Sequence, residues 1–244
     1  MTPRTLYLLL RPTAHAVAWR PVLAGAALGP AVLLVPEALT TRLTGTHLTT
    51  LARIAAICFA LGAAFLLDDP ASRSTVTVPT SRLARNLVRV ALAGPAVALC
   101  WALMLVLVKT TGHHAAAAQL PVAGLTLEAA TLLAAALAVS AMAQRRTVTG
   151  TTSIVAAPAV LLLAVVAWLL PAPVALVVKP ADPHWTAAHQ RWGAVLAIAL
   201  VVFGWAGRER GRRPTARRAA PPDGHSPGGA AAHSGVAPVR PVRP

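Results

Sequence analysis

The sequence predicts an all-α integral membrane protein with six transmembrane helices and with both termini in the cytoplasm. Three observations carry this prediction: an apolar composition, six successive apolar stretches, and the uneven distribution of positive charge. Of the 244 residues, 56% are hydrophobic and only 12% are charged, and the mean hydropathy is +0.64. Because a soluble domain could not bury this much apolar surface, we expect the bilayer to surround it.

Six apolar stretches follow one another, most of them near the roughly 20 residues that a helix needs to cross the hydrocarbon core. They cover residues 21–39, 51–67, 87–108, 120–143, 154–178 and about 189–207. The second stretch is short at its apolar core. The sixth requires tilt, local thinning of the bilayer or snorkelling of Arg191.

Positive charge is concentrated in alternate connections between these stretches. The two tails and the second and fourth connections hold 17 of the 22 Lys and Arg residues. The odd connections hold the other five, which are Arg42, Arg53, Lys109, Lys179 and Arg191. Positive charge stays in the cytoplasm during insertion, so we expect an even number of spans with both ends inside. The net charge of +15 therefore indicates an anionic lipid surface rather than nucleic acid as the partner.

The N-terminal segment, residues 1–20, is predicted to be a short helix lying in the cytoplasmic interface. Leu6, Leu9 and Leu10 share an apolar side, and Pro12 interrupts any longer helix. In the first stretch, the small-residue spacing of Gly25 and Gly29 is a weak signal for close approach of another helix.

The second connection has the sequence LDDPASRSTVTVPTSRLARNLVR and is predicted to contain a short helix across the inner face of the bundle. Asp69 followed by Pro70 is typical of an N-cap and a first helical position. Ser81 is placed to cap the next helix, which carries Arg82, Arg85 and Arg89 toward the third span.

The fifth stretch is broken by Pro171 and Pro173. We expect a helix that ends near Leu170 and is followed by a re-entrant or interfacial segment. Non-helical backbone at membrane depth needs protein or water to satisfy its polar groups.

The C-terminal tail, residues 208–244, is rich in Pro, Gly and Ala and is predicted to be disordered. Its beginning is a polybasic segment, expected to bind anionic lipid. The residues concerned are Arg208, Arg210, Arg212, Arg213, Arg217 and Arg218. The chain thus divides into a cytoplasmic interfacial segment (1–20), a six-helix transmembrane domain (21–207) and a cytoplasmic tail (208–244).

No catalytic residue, metal site or cofactor is predicted. A phosphate-binding loop needs Gly-Lys before Ser or Thr, and the two lysines, Lys109 and Lys179, both follow Val. If ATP drives this protein, another chain binds and hydrolyses it. The one pair of adjacent carboxylates, Asp68 and Asp69, fits helix capping better than catalysis, and a contact role for this turn stays open.

Glu128 is the one acid well inside an apolar stretch. Burying a charged side chain at this depth is expensive, so such residues usually face a cavity or a partner. Two interpretations stay open: a residue of a substrate pathway, or a protonated or snorkelling Glu near the outer surface. Among the external histidines, His113, His114, His184 and His189, simple solvation is favoured over a metal site.

The cytoplasmic turn LDDPASRSTVTVPTSRLARNLVRVAL, in a chain with six spans and both ends inside, resembles actinobacterial ABC exporter permeases, whose ATPase is a separate subunit. The resemblance covers about residues 1–207. It implies an interfacial helix before the first span, a coupling helix between the second and third spans, and a re-entrant segment at about residues 172–189. The ATPase-coupling role would fall on Asp68, Asp69, Pro70, Ala71, Ser72 and Arg73. The acidic first connection of some relatives is missing here.

The leading hypothesis is therefore a permease subunit of an ABC exporter that moves a small or amphipathic molecule across the cell membrane by alternating access. The resemblance implies an ABC ATPase and either a second copy or a sister permease as partners. The alternative is a non-transporting membrane scaffold or regulator that acts through the basic tail. An intramembrane enzyme is a third hypothesis, disfavoured because the sequence offers no catalytic cluster.

Overall fold

The computed structural model describes residues 18–39, 44–68, 81–111, 120–146 and 152–208. Across these ranges the protein is entirely helical, without β-strands. The helices are α1 (Trp19–Leu39), α2 (Gly45–Ala64), α3 (Arg82–Thr111), α4 (Val122–Arg146), α5 (Ser153–Leu169) and α6 (Trp185–Gly207), with a 3-10 turn at Ala172–Val174. The described parts thus contain one helix for each of the six apolar stretches.

Four of the six helices, α2, α3, α4 and α6, are long and apolar enough to cross a membrane. Helix α5 is apolar but has only 17 residues. These lengths fit a membrane protein, because about 20 residues of helix span the hydrocarbon core.

Helix α2 begins six residues before the apolar stretch that predicted it. The hydroxyl of Thr44 accepts a hydrogen bond from the His47 amide and caps the helix, and the hydroxyl of Thr49 donates to the Gly45 carbonyl. Leu48 in this extra length is fully buried. The apolar stretch begins at residue 51, but capped and buried residues before it extend the helix to Gly45.

Helices α2 and α4 form the centre of the bundle. Helix α2 packs against α1, α3, α4 and α5, and α4 packs against α2, α5 and α6. Their shared core consists largely of alanine, including Ala52, Ala55 and Ala56 on α2 and Ala136 on α4. Small side chains let helix backbones come close where lipid gives no hydrophobic drive for association.

Helices α1 and α2 approach each other closely. A Cβ built on Gly25 would lie 2.6 Å from the Cys58 carbonyl oxygen and 3.0 Å from the Cα of Gly62. A Cβ on Gly29 would lie 2.7 Å from the Phe59 ring. The spacing of Gly25 and Gly29 therefore does serve helix–helix contact.

Large apolar side chains cover the outside of the bundle. The most exposed examples are Leu39, Leu99, Leu103, Ile154, Leu162, Leu169, Ile198 and Val201. In water such a surface would aggregate, whereas acyl chains or a neighbouring helix cover it in a bilayer.

Several expectations concern residues outside the described ranges. These are the interfacial helix within residues 1–17, the coupling residues Asp69, Pro70, Ala71, Ser72 and Arg73, and the tail beyond Arg208.

Candidate functional site

An ion pair lies buried between the two central helices. Arg53 on α2 donates from Nε to Glu128 Oε2 at 2.7 Å and from Nη2 to Glu128 Oε1 at 2.9 Å. The residues are only 7% and 2% exposed, respectively. This two-pronged geometry is the strongest that a guanidinium and a carboxylate form, and it satisfies both charges away from water.

The two partners meet because they lie at the same depth. Arg53 comes eight residues after the first residue of α2, and Glu128 comes six residues after the first residue of α4. Helix α2 and helix α4 pack against each other, and each residue lies about two turns from the same end of the bundle. The charge pattern of the sequence placed Arg53 in a connection, so the pair was not predicted.

A histidine and a tryptophan from α6 complete the cluster. His189 Nε2 lies 3.3 Å from Glu128 Oε1, and its ring stacks on Trp185 at a centroid distance of 4.1 Å. Trp185 also lies near the Arg53 guanidinium, 5.9 Å from ring centroid to Cζ. Gly124 on α4 makes room for both rings, since a Cβ there would lie 2.5 Å from His189 Nε2. We call Arg53, Glu128, His189 and Trp185 the outer cluster.

The connection between α5 and α6, residues 170–184, folds back over this cluster, and we call it the strap. Its beginning confirms the helix end expected near Leu170, because α5 stops at Leu169 before the two prolines. Beyond the 3-10 turn, Ala175 and Leu176 are buried against the bundle.

Side chains of the bundle donate hydrogen bonds to backbone carbonyls of the strap. Arg53 Nη2 donates to Val178 O at 3.0 Å, and Trp192 Nε1 donates to Leu176 O at 2.8 Å. Arg191 donates to Ala175 O at 2.9 Å and to Pro173 O at 2.7 Å. Snorkelling of Arg191 was one of three ways to accommodate the sixth apolar stretch; in the structure its guanidinium is bonded to the strap. These bonds satisfy carbonyls that have no helical or sheet partner.

A small cavity lies between the cluster and helix α5. Arg53 and Glu128 are its polar lining, and apolar residues form the rest of its wall, including Trp168, Val177 and Trp192. Its volume is about 20 Å³, which is enough for about one water molecule. Among the described residues, Glu128 therefore faces both a partner and a cavity, as an acid at membrane depth was expected to do.

The opposite end of the bundle carries a second polar layer, built around Asp68. Its Oδ1 accepts from the backbone N–H of Thr152 (2.6 Å), the Thr152 hydroxyl (2.8 Å) and the backbone N–H of Ser153 (2.9 Å). Its Oδ2 accepts from the Ser153 hydroxyl at 2.6 Å. Asp68 thus caps the N-terminus of α5, where unpaired N–H groups and the helix dipole favour a carboxylate.

Basic and amide side chains bind helix ends in the same layer. Arg89 donates to Leu67 O at 3.2 Å, and Gln144 donates to the same oxygen at 2.8 Å. Arg145 donates to carbonyls at the end of α6, including Ala206 O at 2.7 Å, and stacks on Trp205. We call this set, with Asp68, the inner layer.

The comparisons with known proteins identify no relative. The chain matches no protein-family model, no curated protein and no solved structure.

Proposed function

We propose that this chain is the membrane-spanning permease subunit of an ATP-driven exporter in the cell membrane. All six helices would cross the bilayer with both termini in the cytoplasm. The cargo is a small or amphipathic molecule, and a second copy or a sister permease completes the pathway. ATP is bound and hydrolysed by a separate subunit, since this chain carries no phosphate-binding loop.

The observation that carries the proposal is the charged pair buried inside the apolar bundle and facing a cavity. Ionisable side chains at membrane depth are costly and tend to mark the routes of substrates or ions. Arg53 and Glu128 line the only strongly polar part of the cavity wall in the described ranges. Because Arg53 neutralises Glu128, the site favours a polar or amphipathic cargo over a simple cation.

The positions of the polar groups support six spans. The outer cluster and the strap lie at the starts of α2, α4 and α6, and the inner layer lies at the other ends of these helices. In the described ranges, Arg82, Arg89 and Arg145 lie at the end of the bundle that holds the inner layer. That side is therefore assigned to the cytoplasm.

The turn after α2 is the proposed contact for the ATPase. Asp68, its first residue, is hydrogen-bonded to the start of α5. A displacement of this turn would therefore be transmitted directly to α5. The following residues, 69–73, would supply the docking surface.

Purification of the tagged protein from its native membrane in mild detergents, with mass spectrometry of co-eluting chains, tests the proposal. We expect a stoichiometric partner that carries a Gly-Lys-Ser/Thr phosphate loop. Replacing Asp69 and Pro70 together by Ala should reduce this association, whereas Asp182→Ala on the strap should leave it intact. The absence of any ATPase across several detergents would contradict the permease function.

A deletion of residues 209–244 separates the proposal from a scaffold that acts through its basic tail. A permease should retain cargo-stimulated ATPase activity without the tail. Loss of the cellular role with intact ATPase association would favour the scaffold.

A further inference from the structure

One nitrogen of the buried Arg53 guanidinium has hydrogen-bonding capacity that the protein does not use. Its Nε and Nη2 donate to Glu128, and Nη2 also donates to Val178 O. The third nitrogen, Nη1, carries two N–H groups and forms no hydrogen bond to any residue that the structure describes. The Arg53 side chain is only 9% exposed and lines the small cavity beside α5. Because a donor withheld from water destabilises the folded state unless it is satisfied, Nη1 calls for an acceptor in the cavity.

The charges of the pair restrict which acceptor fits. Both oxygens of Glu128 already accept from Arg53, at 2.7 Å and 2.9 Å, so the pair is neutral as a whole. A cation in the cavity would be repelled by the guanidinium, and an anion would be repelled by the carboxylate. The group that satisfies Nη1 is therefore an uncharged acceptor, such as the carbonyl oxygen of an ester or an amide.

The size of the cavity limits how much of a ligand enters. Its volume of about 20 Å³ holds about one water molecule. A carbonyl oxygen can displace such a water and reproduce its bond to Nη1. The rest of the ligand has to lie outside the cavity.

One wall of the cavity reaches the outer surface of the bundle at α5. Ala164, Ala167 and Trp168 line the cavity, and Trp168 is at the same time 50% exposed. Its neighbours Val165 and Leu169 are exposed apolar residues, which acyl chains cover in a bilayer. An apolar chain can therefore lie along this surface while an oxygen at its end reaches Arg53.

We propose that Arg53 and this cavity bind the carbonyl oxygen of an uncharged amphipathic ester or amide that approaches from the bilayer along α5. The oxygen accepts from Arg53 Nη1, and the apolar chain packs against Trp168. Val177 of the strap contributes to the cavity wall, so the strap confines the bound group. That this ligand is the exported cargo rests on the proposed function, whereas its binding does not.

Quenching of tryptophan fluorescence in lipid nanodiscs tests the site, because Trp168 lies beside the cavity. The probe is a methyl dibromostearate whose bromines lie on the chain near the ester, and its control is the matching dibromooctadecane, which has no acceptor. We expect saturable quenching by the ester and quenching without saturation by the alkane. The saturable part should disappear in Trp168→Phe and persist in Trp205→Phe. Equal quenching by the two probes would overturn the proposal.

Two kinds of variant separate loss of binding from loss of folding. The double variant Arg53→Met with Glu128→Met removes the donor without leaving a buried charge unpaired. Ala164→Leu narrows the cavity and keeps the pair, and Val165→Leu on the exposed side of α5 is its control. We expect the apparent affinity for the ester to fall about tenfold or more in the double variant and in Ala164→Leu. It should stay within about twofold in Val165→Leu. Saturable quenching that is unchanged in both the double variant and Ala164→Leu would overturn the proposal.

A quaternary ammonium on the same dibrominated chain tests the charge argument. We expect it to bind more weakly than the ester, because the guanidinium repels it. Tighter saturable binding of the cation would overturn the proposal and make Glu128 the binding group.

These binding measurements use the chain alone, so their outcome is separate from that of the search for an ATPase. Saturable ester binding by a chain that co-purifies with no ATPase would support the site and contradict the permease function. A co-purifying ATPase without saturable ester binding would support the permease function and overturn the site.

Discussion

Arg53 and Glu128 tolerate burial because each supplies the charge that the other lacks. An unpaired guanidinium or carboxylate at this depth would draw water into the bundle or prevent the protein from folding. Arg53 also donates to the Val178 carbonyl, and His189 Nε2 lies 3.3 Å from Glu128 Oε1. The cluster is therefore a unit, and its parts should not respond independently to substitution.

Removal of one partner of the pair should destabilise the protein more than removal of both. We expect Arg53→Met to lower the free energy of unfolding by about 3–5 kcal/mol, since Glu128 is left buried and unpaired. The double variant with Glu128→Met should recover much of this loss. Lys109→Met, at an exposed site, is the matched control and should change stability by less than about 0.5 kcal/mol. Unfolding in denaturing detergent, followed by circular dichroism, measures the stability of Arg53→Met, Glu128→Met, the double variant and Lys109→Met. Additive losses from the two single changes would contradict the paired geometry.

Asp68 should contribute stability as a helix cap. Asp68→Ala removes the acceptor for two backbone N–H groups and two hydroxyls at the start of α5, at an expected cost of about 1–2 kcal/mol. Asp68→Asn should cost less, because its amide oxygen still accepts. The same unfolding assay checks both. If Asp68→Asn instead abolishes ATPase association at unchanged stability, the carboxylate has a docking role beyond capping.

At the scale of elements, backbone contact between α1 and α2 limits which residues fit between them. Gly25→Ala would place a Cβ 2.6 Å from the Cys58 carbonyl oxygen, and neither backbone can move aside without separating the helices. We expect a loss of about 1–3 kcal/mol. Gly94→Ala on α3 is the control, since nothing lies within 4 Å of its added methyl. Thermal unfolding in nanodiscs should show it to be neutral or slightly stabilising, and equal losses for both variants would argue against the close contact.

The strap owes its position to side chains of other elements rather than to a regular structure of its own. Trp192→Phe keeps an aromatic ring in the core but removes the bond to Leu176 O. Amide exchange in residues 171–184 should then become about threefold to tenfold faster, the equivalent of about one hydrogen bond. Trp205→Phe on the exposed end of α6 should leave the exchange of the strap unchanged. Unchanged exchange in Trp192→Phe would mean that this bond does not hold the strap.

For the whole molecule, the decisive prediction concerns orientation. In a background with Cys58 and Cys100 replaced by Ala, Asp182→Cys on the strap should react with a membrane-impermeant maleimide in intact cells. Arg146→Cys at the end of α4 should react only after permeabilisation. The reverse pattern would place the inner layer outside the cell and contradict the charge-based topology.

In the described ranges, the sequence was sufficient for the type and approximate position of the six helices. Ser81 caps α3 as expected, its hydroxyl accepting from the Ala84 amide at 3.2 Å, and the prolines after Leu170 end α5. These are local signals that act within a few residues. Glu128 was identifiable for the same reason, because an acid inside an apolar run is conspicuous by itself.

The partners of these residues were not visible in the sequence, since they lie far away along the chain. Arg53 pairs with a residue 75 positions later, and Asp68 caps a helix that begins 85 positions later. Asp68 was expected to act within its own turn. Only the similar depth of Arg53 and Glu128 in neighbouring helices could have indicated the pair. That similarity becomes visible only when α2 is known to begin at Gly45.

The long separation between Arg53 and Glu128 also has a consequence for how the protein is made. At about 5–20 residues per second, the ribosome adds the intervening 75 residues in about 4–15 seconds. During that interval α2 carries an arginine without its carboxylate and is poorly suited to enter lipid alone. Helix α2 should therefore stay beside the insertion machinery until α4 arrives, so that the two central helices enter the bilayer together.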